Sequence, residues 1–275
     1  MNHTRRRLLR LLVVATALLA GCNTLSPLAD VDVDVDVDVA ARHALAPTGT
    51  LRVGVYPGSP TSMIIDAKRA QKIGIAHDLG QEFARQLKVP FEVVEFRRVA
   101  EVLAALKVGA VDFTFTNATA VRAIDVDFLA PILQLELGYI VLAGSKITTL
   151  AEVDQLGNRI GVSEGSSSQG TLSRQFKSAT IVAAPSLKVA REMLSQGKLD
   201  AFATNKAVLS EFADELPATR ILDGRWGVEN MAIAVPKGRE RGMTTLRAFA
   251  ERVQANGLLQ SIVEKAGLRG LVKPE

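Results

Sequence analysis

The sequence predicts an α/β fold made of two similar lobes, on three observations. Short apolar strand-like runs alternate with segments of helical spacing from Leu51 onward, the pattern of a largely parallel sheet covered by helices. The 275 residues suffice for one large or two medium domains. The plan also repeats: LKVGAVDFTFTN at residues 106–117 is echoed by LSQGKLDAFATN at residues 194–205. Each copy runs Gly, a hydrophobic residue, Asp, a strand and then Thr-Asn.

The elements follow in order. Residues 51–55 form an apolar strand, and the Pro/Gly/Ser-rich stretch 56–62 a loop. Leu79, Phe83 and Leu87 recur every four residues, which predicts a helix over 77–87. Residues 91–96 read as a strand. Residues 99–108 read as a helix through Val102, Leu103, Ala105 and Leu106, stopped by Gly109. A strand returns at 111–116. The second half repeats the logic, with strands at 137–143, 159–162, 180–183 and 200–203 and helices at 150–156, 168–176, 186–195 and 206–212. Ser186 is suited to cap its helix and Gly197 to end it. A strand at 231–235, ended by Pro236 and Gly238, precedes helices at 244–254 and 258–265. Both Thr-Asn pairs fall at carboxyl ends of strands, the edge at which open α/β sheets bind ligands.

The N-terminus reads as address and tether. Arg5, Arg6, Arg7 and Arg10 precede the apolar run 11–20, and Leu19-Ala20-Gly21-Cys22 follows. This is a signal peptide, residues 1–21, with a small-residue cleavage site. This ten-residue run falls short of the about 20 that span a bilayer. The ending resembles the bacterial lipobox, which implies cleavage before Cys22 and lipidation of that residue. Residues 22–46 then form a flexible tether. Its alternating Asp and Val between Asp30 and Asp38 has a strand's period, but a row of like charges on one face repels itself. Fully extended, the tether reaches roughly 80 Å. Pro47 and Gly49 mark the expected start of the folded part.

Composition narrows the function. The formal charge is +4, but the four leader arginines account for it. The remainder is formally neutral and aromatics are 5%, so a nucleic-acid surface is not expected. The single Cys allows no intrachain disulfide. His3, His43 and His77 are too scattered for a zinc cluster, and no metal or cofactor is expected.

Residues 161–165, GVSEG, fit the nucleophile elbow G-x-S-x-G. A serine nucleophile needs a base, and no histidine follows Ser163. The overlapping Gly165-Ser166-Ser167-Ser168 suits another task. Small residues and hydroxyls before a helix present unpaired N–H groups and partial positive charge to an anion.

A family resemblance rests on a series of pieces in order. These are Leu51-Arg52-Val53-Gly54-Val55, Gly74-x-x-x-Asp78-Leu79 and Gly109-Ala110-Val111-Asp112, then Thr119-x-x-Arg122-x-x-x-x-Asp127-Phe128. Val162-x-x-Gly165-Ser166-Ser167-Ser168, Leu194-x-x-Gly197-Lys198-Leu199-Asp200-Ala201 and the run from Met231 to Gly238 complete it. Over roughly residues 50–270 the chain resembles the extracellular solute-binding proteins of ABC importers, family 3, the amino-acid-binding group. The resemblance implies a type II periplasmic-binding-protein fold. Lobe 1 would comprise 47–134 and 235–275, and lobe 2 would comprise 135–234. Two crossover strands would join them, and they would close on a ligand by a hinge. It implies that Arg122 forks onto a ligand carboxylate and that residues 165–168 meet the same group from lobe 2. Asp78 and Asp112 read as structural.

The chain also departs from the family. The acidic residue that pairs with a ligand ammonium is here Asn205, which carries no charge. Tyr56 replaces the acidic residue after the first strand, and Val99 the aromatic lid. The expected ligand site is Tyr56, Asn117, Thr119, Arg122, Gly165, Ser166, Ser167, Ser168 and Asn205. The expected ligand is a small anionic solute, carboxylate-bearing or similar, rather than a standard amino acid. The expected protein is a lipid-anchored, monomeric, non-enzymatic binding protein on the periplasmic side of the envelope. Its partner would be an inner-membrane permease, and Asn23 would favour the outer membrane for the anchor. The alternatives are a ligand-sensing module or a dehydratase-like enzyme on the same fold. An enzyme would need an acid or base in the cleft, and Glu164 is the nearest carboxylate in sequence.

Overall fold

The computed structural model describes residues 39–66 and 69–272. The expected signal peptide, Cys22, Asn23 and most of the Asp/Val tether lie outside the described residues.

The tether was expected to run to residue 46, but the packed body begins earlier. Val39–Leu45 is a helix, α1, with Ala41 and Leu45 buried. Leu45 fills the space that a side chain at Gly242 would need, and Arg239 donates to the Ala44 carbonyl at 2.6 Å. Two buried apolar residues and one hydrogen bond dock this short helix.

Lobe 1 begins with strand β1, Leu51–Val55, a hairpin of β2, Ile64–Asp66, and β3, Gln71–Ile73, and helix α2, Ile75–Leu87. Then come β4, Phe91–Glu95, α3, Val99–Lys107, β5, Thr114–Asn117, the short α4, Ala120–Ala123, and β6, Val126–Phe128. β1 pairs in parallel with β4 and bridges in parallel to Phe113. The chain leaves on β7, Leu133–Leu142.

Lobe 2 follows a 3-10 turn at Leu150–Glu152, where a fuller helix was expected. It contains β8, Arg159–Ser163, α5, Ser167–Gln175, β9, Thr180–Ala184, and α6, Leu187–Ser195. It closes with β10, Ala201–Asn205, α7, Lys206–Glu215, and β11, Thr219–Ile221. The chain returns on β12, Gly227–Pro236, and ends on α8, Met243–Ala255, and α9, Leu258–Lys265, against lobe 1.

β7 and β12 are ten residues each and pair antiparallel, Leu133–Leu137 against Gly227–Met231. They carry one sheet through both lobes in the order β5-β12-β7-β10-β8-β9. Both begin before the 137–143 and 231–235 runs that apolar content alone predicts, because their added residues pair with each other, Leu133–Leu137 against Gly227–Met231. Separate cores lie on either side. Phe83, Phe113 and Phe249 anchor one, and Ile160, Val162, Phe202 and Phe212 belong to two clusters on the other.

The two aspartates read as structural are held by basic side chains. Arg52 forks onto Asp112 through Nε and Nη2, both at 2.8 Å, and Arg239 adds a third contact at 3.3 Å. Asp78 takes His77 at 2.7 Å and Lys265 at 2.8 Å. No helix among the described residues is long and apolar enough to cross a membrane.

Candidate functional site

β5 ends in Thr116-Asn117, with both side chains buried. Thr119 then accepts from the Arg122 backbone N–H at 3.2 Å, capping α4. That single turn sends the Arg122 side chain back to the strand end. Its Nη1 donates to Thr116 Oγ1 at 3.1 Å and to the Asn117 carbonyl at 2.9 Å. Nε and Nη2 donate to no other described residue. Desolvation pulls the half-buried guanidinium below its ordinary pKa, opposed by the negative charge of Glu229. It remains a cation with a free fork.

On the opposite lobe, β8 ends at Ser163 and turns through Gly165, at φ +70°. Ser166 caps α5 by accepting from the Gln169 N–H at 3.1 Å. Ser167 Oγ donates to Glu229 at 3.0 Å and accepts from Asn117 Nδ2 at 3.2 Å, which ties the lobes together. Ser168 is buried. Asn205 ends β10 and caps α7, accepting from the Val208 N–H at 3.1 Å. Its Nδ2 donates to Glu229 Oε2 at 2.9 Å.

These groups surround a cavity of about 30 Å³ between the lobes, room for water but not for a solute. Tyr56, Asn117, Arg122 and Asn205 line it, as do Ser166, Ser167 and Ser168. Two expected site residues do not. Thr119 is spent on the cap of α4. Gly165 instead marks where the lobes touch, since a Cβ there would lie 2.5 Å from the Ala100 Cβ on α3. Tyr56 packs against the core of lobe 2. Burial raises its hydroxyl pKa, against a hydrogen bond with Ser59 at 3.5 Å, so it stays neutral.

The residue that sequence reasoning missed is Glu229. It sits on β12, is 7% exposed and lines the cavity. Glu229 therefore supplies a carboxylate to a cleft whose expected residues, with Asn205 and Tyr56 at the acidic positions, included none. Glu164, the carboxylate singled out in the sequence, is not among the lining residues and pairs with Arg98 at 3.4 Å. Arg98 reaches across from lobe 1, where it also pairs with Glu101 at 3.0 Å. Val99, Leu187, Val208 and Met231 supply the apolar wall.

Ser163 also lines the cavity, but His77 does not and is paired to Asp78 and edge-on to Phe91 at 5.3 Å. No Ser–His couple forms among the described residues. Nor does any described group of three His, Cys, Asp or Glu side chains suit a metal ion.

The profile of the bacterial extracellular solute-binding proteins, family 3, matches residues 51–268. No curated protein matches in sequence. Among solved structures, a P235GK mutant of ArgBP from T. maritima is 21% identical, with TM-score 0.74, covering 82% of this chain and 98% of its own. The amino acid ABC transporter substrate-binding protein AbpA from Streptococcus pneumoniae, bound to L-arginine, is 20% identical, with TM-score 0.73, covering 82% and 97%. The ancestral amino-acid-binding protein AncCDT-1, a precursor of cyclohexadienyl dehydratase, is 22% identical, with TM-score 0.71, covering 82% and 98%. The likeness carries the two-lobed fold over 82% of the chain, and with more than half of the sequence matched the chain belongs to the bacterial extracellular solute-binding proteins, family 3.

Proposed function

We propose that the chain captures a small carboxylate-bearing solute between its lobes and delivers it to an ABC permease. The observation that carries this reading is Arg122. Two of its bonds fix it to the strand end, and the rest of the guanidinium fork is free beside the cavity, in line with bidentate recognition of a planar anion. The capped start of α5 adds hydroxyls and unpaired N–H groups from the other lobe.

The cavity of about 30 Å³ is too small to admit a solute with the lobes as they stand. Entry then requires opening, and the hinge would lie in β7 and β12. The Arg98–Glu164 pair and the Asn117–Ser167 bond cross the cleft and favour the closed form. A lipid on Cys22 would hold this monomer at the periplasmic side of the envelope, the outer membrane being favoured by Asn23.

A second reading has one observation in its favour. Glu229 gives the cleft a carboxylate, and AncCDT-1 is a dehydratase precursor of the same fold. We favour binding alone, because the Glu229 carboxylate is already held by three hydrogen bonds.

Thermal denaturation with a panel of small carboxylates tests the proposal. A ligand at 100 times its Kd stabilises by about 2.7 kcal/mol, a readily measured rise in Tm. Arg122→Ala should abolish that rise; an unchanged rise would place the anion elsewhere.

A further inference from the structure

We propose that the C-terminal segment, residues 267–272, is a strap between the lobes at the hinge, pinned to lobe 2 by Arg269, and that it limits how far the lobes open. The proposal rests on the hinged-capture reading above and adds a non-covalent link beside the crossover strands β7 and β12.

The local sequence turns the chain onto the hinge. Gly267, at φ +59°, ends α9, and Gly270, at φ +77°, turns the chain again. Leu268 and Leu271 pack into the core of lobe 1. The Gly270 carbonyl accepts from the Glu136 N–H at 2.8 Å, Leu271 bridges Leu135 antiparallel, and the Val272 N–H donates to the Gln134 carbonyl at 3.0 Å. All three partners lie where β7 pairs with β12 between the lobes. The other edge of β7 is therefore shared. It carries β10 of lobe 2 as far as the Asn205–Leu137 pair, and the tail of lobe 1 from Glu136 onward.

The same tail grips α7 of lobe 2, whose Val208, Leu209 and Phe212 are in that lobe's core. A Cβ at Gly270 would lie 2.4 Å from the Lys206 Cβ, so a glycine lets the tail lie against the start of α7. Lys206 in turn pairs with Glu136 on β7 at 2.5 Å. In the other half of the helix, Arg269 forks onto Asp214, with Nη1 to Oδ1 at 3.0 Å and Nη2 to Oδ2, and its Nη2 also reaches Glu211 at 3.3 Å.

The charges explain the need for a pin. Glu211, Asp214 and Glu215 crowd the C-terminal half of α7, the end at which negative charge is unfavourable. Arg191 of lobe 2 pairs with Glu215. The cation for the other two comes from lobe 1. Opening carries α7 away from the tail with lobe 2, so the fork must stretch or break. A contact shifts a two-state equilibrium by as much as it differs between the states. Arg269 is thus a positioning residue. It acts on the cleft through α7, whose cap Asn205 lines the cavity.

Electron-spin distance measurements on the dialysed full-length chain read the strap without a solute. The labels go on Ala104→Cys in α3 and Ser173→Cys in α5, exposed positions on opposite lobes, in a Cys22→Ser background. Arg269→Ala should raise the population at the longer separation about 5-fold over wild type, the yield of a well-formed surface pair. Asp214→Ala should do the same, and the exchange Arg269→Asp with Asp214→Arg should restore the wild-type distribution. Gly270→Ala, which lifts the tail from Lys206, should shift it in the same direction. Unchanged populations, even with a lowered melting temperature, would overturn the strap; a longer separation already present in wild type would still uphold the hinge. A single short separation in every variant would overturn both. Should Gly270→Ala not fold, the exposed Arg269–Asp214 pair decides alone.

Discussion

In lobe 1, Arg52 forks onto Asp112 and reaches the Gly109 carbonyl at 2.7 Å. In lobe 2, Arg159 forks onto Asp200 at 2.9 Å through each nitrogen and reaches the Gly197 carbonyl at 2.7 Å. The same brace therefore locks the start of a strand to the Gly-x-x-Asp turn in both halves. The surroundings differ. The Asp112 side chain is fully buried and shared with Arg239, whereas that of Asp200 is 33% exposed. The next strands end alike, in Thr116-Asn117 and Thr204-Asn205, and then part. Asn205 caps a ten-residue helix. Asn117 instead accepts from the Asn230 N–H at 3.0 Å and leads into the turn that carries Arg122. The comparison teaches that the scaffold is repeated while the chemistry is not. The two copies differ at the strand ends, where Asn205 caps a helix and Asn117 does not.

The largest stability effect expected from this comparison is at Asp112. Asp112→Ala leaves Arg52 and Arg239 without their shared partner and should cost about 3–5 kcal/mol in urea unfolding. Asp200→Ala, at the exposed brace, should cost about 1 kcal/mol or less. Equal losses would show that burial does not distinguish the two braces.

The asparagines come next. Asn205→Ala removes a helix cap and should lower stability by about 1 kcal/mol. Asn117→Ala should weaken ligand binding more than it weakens the fold, because its side chain spans Ser167, Glu229 and Asn230. Calorimetry and unfolding on both variants read the contrast directly.

Two glycines sharpen it further. Gly197 sits at φ +65° with nothing near a prospective Cβ, so Gly197→Ala should cost about 1 kcal/mol of backbone strain and leave binding alone. Gly165 has a similar φ of +70°, but its Cβ would strike Ala100 across the cleft. Gly165→Ala should therefore also weaken ligand binding, with the lobes held apart in solution scattering.

The smallest effect concerns acid stability in lobe 2. Asp154 accepts from the backbone N–H groups of Ala179 at 2.8 Å and of Lys177 and Ser178 at 2.9 Å, which hold its pKa below the ordinary Asp value. A carboxylate depressed on folding stabilises above its unfolded pKa, and that contribution fades as pH falls through the folded value. Asp154→Asn should flatten the decline in urea midpoint below about pH 4. An unchanged decline would assign it to other carboxylates.

Much of this was legible in the sequence because the repeat carries it. The Gly-x-x-Asp turns, the Thr-Asn strand ends, the serine-rich start of α5 and the Thr119-x-x-Arg122 segment are all local signals. Glu229 was not legible, for a physical reason. Apolar content predicts a strand only from residue 231, whereas β12 begins at Gly227. Extending the strand's period of two from Met231 back to 229 would have put Glu229 on the buried face. The burial of Glu229 comes from Leu135, its register partner on β7, and from Asn117, Ser167 and Asn205 around the carboxylate, none of them a near neighbour in sequence. α1 was hidden likewise. Its apolar residues follow a run of aspartates, and their docking site against Arg239 and Gly242 lies some two hundred residues away. Thr119 and Gly165 lie outside the lining of the cavity, since a motif names a loop while local geometry decides which of its members line the cleft.

The most direct test of the central claim, that the lobes close on a carboxylate held by Arg122, is native mass spectrometry of the protein purified without dialysis. The predicted result is a retained small molecule that bears a carboxylate, lost in Arg122→Ala and kept in Asp200→Ala. A retained molecule without a carboxylate, or one that survives Arg122→Ala, would contradict the account.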